Sequence, residues 1–277
     1  MKRFAAGAAL ALSLTASVTA CATISTQQEV QMGQQYAQQI DSQLPIVQDP
    51  EVNRYINVLG DSIAKLSDPR NLDWHFFVVN TNEVNAFAVP GGYIYVNRGL
   101  IEQADKMDQL AGVLGHEIGH VIKRHTVQQM QKEQQANIGV ALACILTKIC
   151  ESQAGQAAIQ VGGTALFAKF SREDEAQADE VAVTYVTRAG IDPHGLPEMF
   201  QKLLQEEQSS GGSGSGVDAW FATHPTEQSR IADVDSLIAQ IDPAIISTLT
   251  QDSPNFHAFK QRVAALPAPP PQKQGSP

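Results

Sequence analysis

Asp108-Gln109-Leu110-Ala111-Gly112-Val113-Leu114-Gly115-His116-Glu117-Ile118-Gly119-His120-Val121 carries a helical rhythm and a chemical motif in the same stretch. Leu110, Ala111, Leu114, Ile118 and Val121 recur at steps of three and four residues, which predicts an apolar helix. His116 and His120 are four apart, so on a helix both imidazoles point at one place, and Glu117 lies beside them. This is the H-E-x-x-H pattern, two metal ligands and a carboxylate base. Two histidines and a glutamate are costly inside an apolar helix unless something satisfies them. Gly115 and Gly119 each cost that helix about 1 kcal/mol against Ala, which close backbone packing around a site would explain. The expectation is an active-site helix holding one Zn2+ per chain, with Glu117 taking a proton from water.

A catalytic zinc needs a third protein ligand and an open position. The metzincin pattern would require Gly at 123 and His at 126. The chain has Lys123 and Thr126, and His125 is one residue out of register. The gluzincin pattern takes a Glu from a later helix, with an Asp one turn on. Glu175 and Asp179, in the helix that Ser171 caps, fit that spacing. On spacing alone Glu173, Asp174 and Glu180 compete with Glu175. His75, His125, His194 and His257 lack ligand spacing and receive no role.

Outward from the motif, helices are expected over 27–43 and from Asp49-Pro50 to Ser67-Asp68-Pro69. Strands are expected at 74–80, 84–89 and 93–96, the last two joined by the hairpin-like Pro90-Gly91-Gly92. An apolar stretch at 138–149 is too short to span a bilayer and reads as a packed helix or interfacial lid. A helix runs from Ser171 to Gly190, a glycine–serine loop occupies 209–216, and two helices follow near 226–241 and 255–266. The fold class expected is α+β, mainly helical, with a small β-sheet and an active-site helix. No internal repeat is visible.

Of 277 residues, 43% are hydrophobic and 17% charged, a globular balance. The net charge of −10, with no Lys/Arg block longer than a dipeptide, argues against a nucleic-acid partner. Lys2 and Arg3 precede an apolar stretch that ends in Val18-Thr19-Ala20-Cys21, which reads as an export signal. Its last four residues resemble a bacterial lipobox, which implies lipidation of Cys21 and anchorage to a membrane. Ala22 in the following position favours the periplasmic face of the outer membrane, again by resemblance. In an exported chain the isolated pair Cys144 and Cys150 is expected to form a disulfide, with two buried free thiols as the alternative. The resulting division is 1–20 signal peptide, 21–48 lipidated N-terminal helix and linker, 49–266 metallopeptidase domain, and 267–277 disordered Pro-rich tail.

Four motifs in order are specific. They are Asn85-Ala86-Phe87-Ala88-Val89-Pro90-Gly91-Gly92, the His116 to His120 motif, Ser171-Arg172 leading to Glu175 and Ala178-Asp179, and His224-Pro225 with Arg230. On these the chain resembles the HtpX and CAAX-prenyl-protease family of zinc peptidases, in its soluble periplasmic branch of BepA-like proteins. The resemblance implies a minimal gluzincin fold, zinc, and Glu175 as third ligand with Asp179 behind a ligand His. It implies a loop His224 that either plugs the metal's open position or helps hold the oxyanion, and an Arg230 that orients the loop or the oxyanion. Unfolded or misassembled envelope proteins are the substrates it implies. The strand Asn85, Ala86, Phe87 and Ala88 is the candidate for pairing with an extended substrate, an ordinary core strand being the alternative. An envelope chaperone or assembly factor with a structural or inactive zinc site is the competing function. An intact Glu117 favours the enzyme, because a structural site needs no base.

Overall fold

A computed structural model describes residues 24–136, 169–209, 216–225 and 228–270. Cys21, Cys144, Cys150, the apolar stretch 138–149 and most of the glycine–serine loop lie outside the described residues. Helix α1 (Thr26–Gln43) opens on a reciprocal cap between Ser25 and Gln28, and α2 (Pro50–Ser67) opens on the Asp49 carboxylate with proline in its first turn. Three short strands follow, β1 (His75–Val79), β2 (Ala86–Val89) and β3 (Tyr93–Asn97). They pair in the order β1-β3-β2, β1 parallel and β2 antiparallel to β3. The β2–β3 turn places Gly91 and Gly92 at φ 85° and 101°, which side chains with a Cβ avoid.

Alternation along the strands divides the interior in two. Phe76, Val78, Ala86, Ala88, Ile94 and Val96 face the main core under α2. Phe87, Val89, Tyr95 and Val79 face Ile40 and Leu44 of α1. Phe77, Tyr95 and Phe87 stack across all three strands on that side, at 4.9 and 5.0 Å between rings. The N-terminal stretch expected as helix and linker is thus docked on the sheet, because its apolar residues have a sheet face to cover.

Helix α3 (Arg98–Gln103) is too short to show a period in the sequence; α4 (Met107–Lys123) carries the motif and is buried from Met107 to Val121. Arg124 then turns left-handed, at φ 60°, and α5 (His125–Ala136) begins at once. After the gap in the description come α6 (Arg172–Arg188), α7 (Gly195–Ser209), α8 (Asp218–Thr223), α9 (Gln228–Ile238), α10 (Pro243–Ile246) and α11 (Pro254–Ala264). Helices α4 and α6 touch at backbone distance. A Cβ on Gly119 would lie 2.8 Å from Ala178 Cα, and one on Gly115 would lie 2.8 Å from Val186 Cγ2. Leu110, Val113, Leu114 and Ile118 are fully buried, each worth about 1.5–3 kcal/mol, which outweighs the helix cost of the two glycines. At the other end of the chain, Arg98 donates to the carbonyls of Ala264, Leu266 and Pro267, so the expected disordered tail begins with a residue held on the domain.

Candidate metal centre

The close approach of α4 and α6 sets His116 and His120 opposite Glu175 and Asp179. One ligand-type atom each from His116, His120, Glu175 and His224 lies within 4.8 Å of the others, all four residues buried. The Nε2 atoms of His116 and His120 are 2.9 Å apart, and Glu175 Oε1 is 3.5 Å from that of His120. His224, at the end of α8, brings Nδ1 to 3.3 Å from His116 Nε2 and 3.1 Å from Glu175 Oε1. Trp220 stacks on His224 at 4.5 Å between rings and is itself fully buried.

The register of α6 decides which acid turns inward. Ser171 and Asp174 cap each other, so Asp174 is tied to the helix start. Glu173 and Glu180 point outward, while Glu175 and Asp179, four apart, face α4.

Behind the cluster, His116 Nδ1 lies 2.8 Å from Asp179 Oδ1. With Nδ1–H donating to that carboxylate, the Nε2 lone pair faces the cluster. Arg230 of α9 donates from Nε to Asp179 Oδ2 and from Nη2 to Asp179 Oδ1, pairs through Nη1 with Glu175, and lies over the Phe200 ring. Nη1 is also 3.5 Å from the Pro225 carbonyl, next to His224. The forked donors of Arg230 are therefore engaged by the carboxylates and the His224 loop.

Electrostatics follow from this burial. Burial pushes the Glu117 carboxyl above its ordinary range. Burial works the same way on Asp179 and Glu175, but Arg230 outweighs it for Asp179, as do His224 and Arg230 for Glu175, and both are held below the usual range. Burial opposes charge on His224, yet Glu175 and Glu117 hold its pKa up. His120 is driven well below its ordinary value by burial and then by the neighbouring His116.

The residues fit a zinc ion. Three imidazoles and a carboxylate are the ligand types zinc prefers, and they meet in a buried place. Glu117 Oε1 is buried without a hydrogen bond, its nearest basic neighbour being His224 Nε2 at 3.5 Å. A buried carboxylate oxygen in that state suits a group that handles a proton.

Two participants escaped the sequence reading. His125, given no role there, is buried with Nδ1 2.9 Å from His120 Nδ1. Phe170 stacks on His120 at 4.0 Å between rings. Neither lies at helical spacing from the motif, so no periodic signal could find them. Strand β2 occupies an edge of the sheet and packs on α4, with Asn85, Ala86, Phe87 and Ala88 all buried.

A small sheet over an H-E-x-x-H helix, completed by a glutamate from a later helix, is the architecture of a zincin-like metallopeptidase. Residues 48–238 match the model of peptidase family M48, and the chain belongs to that family. It is 33% identical over 251 residues to the beta-barrel assembly-enhancing protease of Escherichia coli (strain K12), covering 88% of this chain and 50% of that protein. The protein of the same name from Yersinia pestis is 32% identical over 229 residues, covering 80% of this chain and 46% of the relative. The mitochondrial metalloendopeptidase OMA1 of Schizosaccharomyces pombe is 25% identical over 209 residues, 75% of this chain and 60% of that protein. The chain spans about half the length of the bacterial relatives it matches.

Proposed function

We propose that the chain is a zinc-dependent endopeptidase that hydrolyses peptide bonds of misfolded or unassembled cell-envelope proteins. The observation that carries the reading is Glu117 Oε1, buried and without a hydrogen bond beside four converging ligand atoms. The bacterial relatives are named as beta-barrel assembly-enhancing proteases, which supports an envelope protein as substrate.

His116, His120 and Glu175 would hold the ion, and Zn2+, when bound, supplies Lewis-acid activation of water and of the scissile carbonyl. Glu117 accepts the proton of the attacking water and passes it to the leaving amine. Burial supports the first half of this role, since it raises the carboxyl's affinity for the proton it must take. Asp179 orients His116, and Arg230 keeps the buried Asp179 and Glu175 charged. His224 is the fourth contact of the cluster and acts as a plug that leaves when substrate enters. Strand β2, last in the order of the sheet, pairs with the substrate backbone by adding it as a further strand.

Residues 1–20 act as an export signal, Cys21 carries a lipid anchor on the periplasmic face of the outer membrane, and Cys144 and Cys150 are bridged. Among the described residues no helix is long and apolar enough to cross a membrane.

Incubation of the purified chain with casein tests the proposal. Cleavage is expected, lost with a chelator and restored by zinc. Intact casein in the presence of fully zinc-loaded protein, His224→Ala included, overturns it.

A further inference from the structure

His120 and His116 offer Nε2 to the same place, so each must carry its proton on Nδ1. His116 donates that N–H to the Asp179 carboxylate. The hydrogen-bond partner of His120 Nδ1 among the described residues is a second imidazole, His125 Nδ1, at 2.9 Å. Two Nδ1 atoms at that distance need one donor and one acceptor. His120 being the donor, His125 accepts and carries its own proton on Nε2. That Nε2 faces Gln177 Oε1 at 3.4 Å and Asp174 Oδ1 at 3.7 Å, both on the first turns of α6.

The backbone is built to deliver this contact. His125 follows His120 by five residues, a spacing that a continuous helix would place on different faces. The left-handed Arg124 breaks the helix between them and folds His125 back under His120. A non-glycine residue at positive φ is strained unless held. Arg124 is held at its side chain, where Nε donates to Glu29 Oε2 at 2.7 Å and Nη2 to the Ile24 carbonyl. Glu29 is buried on α1 and also receives Arg70 on both oxygens at 3.0 Å. A buried acid on the first helix thus fixes the turn that aims His125.

We propose that His125 is a positioning residue for the zinc ligand His120, fixing its tautomer and ring direction through a neutral acceptor where His116 has a carboxylate. The proposal rests on the metal reading above. Loss of such an outer partner weakens metal binding about 10- to 100-fold.

The test is zinc affinity, measured on the whole chain by competition with a chelating dye, for the parent, His125→Leu, His125→Asn and His120→Ala. Melting of the metal-free proteins establishes that each is folded. Leucine fills the space without an acceptor, and asparagine puts Oδ1 where Nδ1 stands. His125→Leu is expected to bind zinc roughly 10- to 100-fold more weakly, and His125→Asn to return to within about threefold of the parent. Parent affinity in a folded His125→Leu overturns the proposal, and an equally weak, folded His125→Asn reduces His125 to packing and overturns it too. Unchanged zinc binding in His120→Ala removes the metal reading itself, and is told apart because it does not involve His125.

Discussion

Arg230 meets Asp179 through two hydrogen bonds, Nε to Oδ2 at 2.7 Å and Nη2 to Oδ1 at 2.8 Å, with Asp179 2% exposed and Arg230 9%. A charge-assisted fork in so dry a place holds geometry as well as charge. Removing one member leaves the other uncompensated, at a cost of roughly 3–5 kcal/mol. Arg230→Ala is therefore expected to lower the melting temperature of the metal-free protein by about 10 °C. Arg230→Lys, which keeps the charge and loses the fork, should fall between. Calorimetry checks both, and a metal-free Arg230→Ala that melts with the parent removes the guanidinium from this role.

Glu117→Gln keeps size and removes the carboxylate proposed as the base. It is expected to retain zinc and the parent melting temperature while casein cleavage falls at least about 100-fold. Metal analysis and initial rates on one preparation decide it. Substantial cleavage by that variant takes the proton-transfer role from Glu117.

His224→Ala separates plug from oxyanion holder. Nδ1 of His224 sits among the ligand atoms rather than beyond them, 3.3 Å from His116 Nε2. Basal cleavage of an unfolded substrate should rise in the variant, several-fold or more, with zinc content intact. A fall of about a hundredfold would assign His224 to the oxyanion instead.

Asp108 lies in the first turn of α4, fully buried, with no hydrogen bond to either carboxylate oxygen and Lys106 Nζ 3.7 Å away. Burial, only partly countered by Lys106, pushes its pKa up to about 7. Between about pH 4 and that value the folded chain keeps a proton that the unfolded chain releases, so stability falls as pH rises through the window and levels off above it. Asp108→Asn abolishes that loss. The variant should be more stable than the parent by roughly 1–3 kcal/mol at pH 8, the gain shrinking toward zero near pH 4. Denaturant unfolding at the two pH values reads it, and a gain that grows as pH falls contradicts the assignment.

Helix α4 was legible because its apolar period, its two histidines and its glycines all answer to one geometry. Gly119 shows why: its missing Cβ is the space Ala178 occupies. Glu175 stayed ambiguous among neighbouring acids until the Ser171–Asp174 cap fixed the register of α6. His125 stayed hidden because its contact depends on a left-handed residue, and Arg124 is an unusual residue to find there. The docking of α1 was equally invisible, since Glu29 reads as one more surface acid in a Gln-rich helix until Arg70 and Arg124 are seen to close on it.

The grip of Arg230 on Asp179 spans fifty-one residues, and its reach to His116 spans 114. A chain made from its N-terminus presents His116 and His120 first, Glu175 and Asp179 next, and Arg230 last of the five. Until Arg230 arrives, the buried Asp179 and Glu175 carboxylates lack the guanidinium that meets them both, and closing that interior is costly. Assembly of the centre thus waits on residues far apart along the chain, so the peptidase proposed above is without its complete centre while residues 116 to 230 are still unfolded.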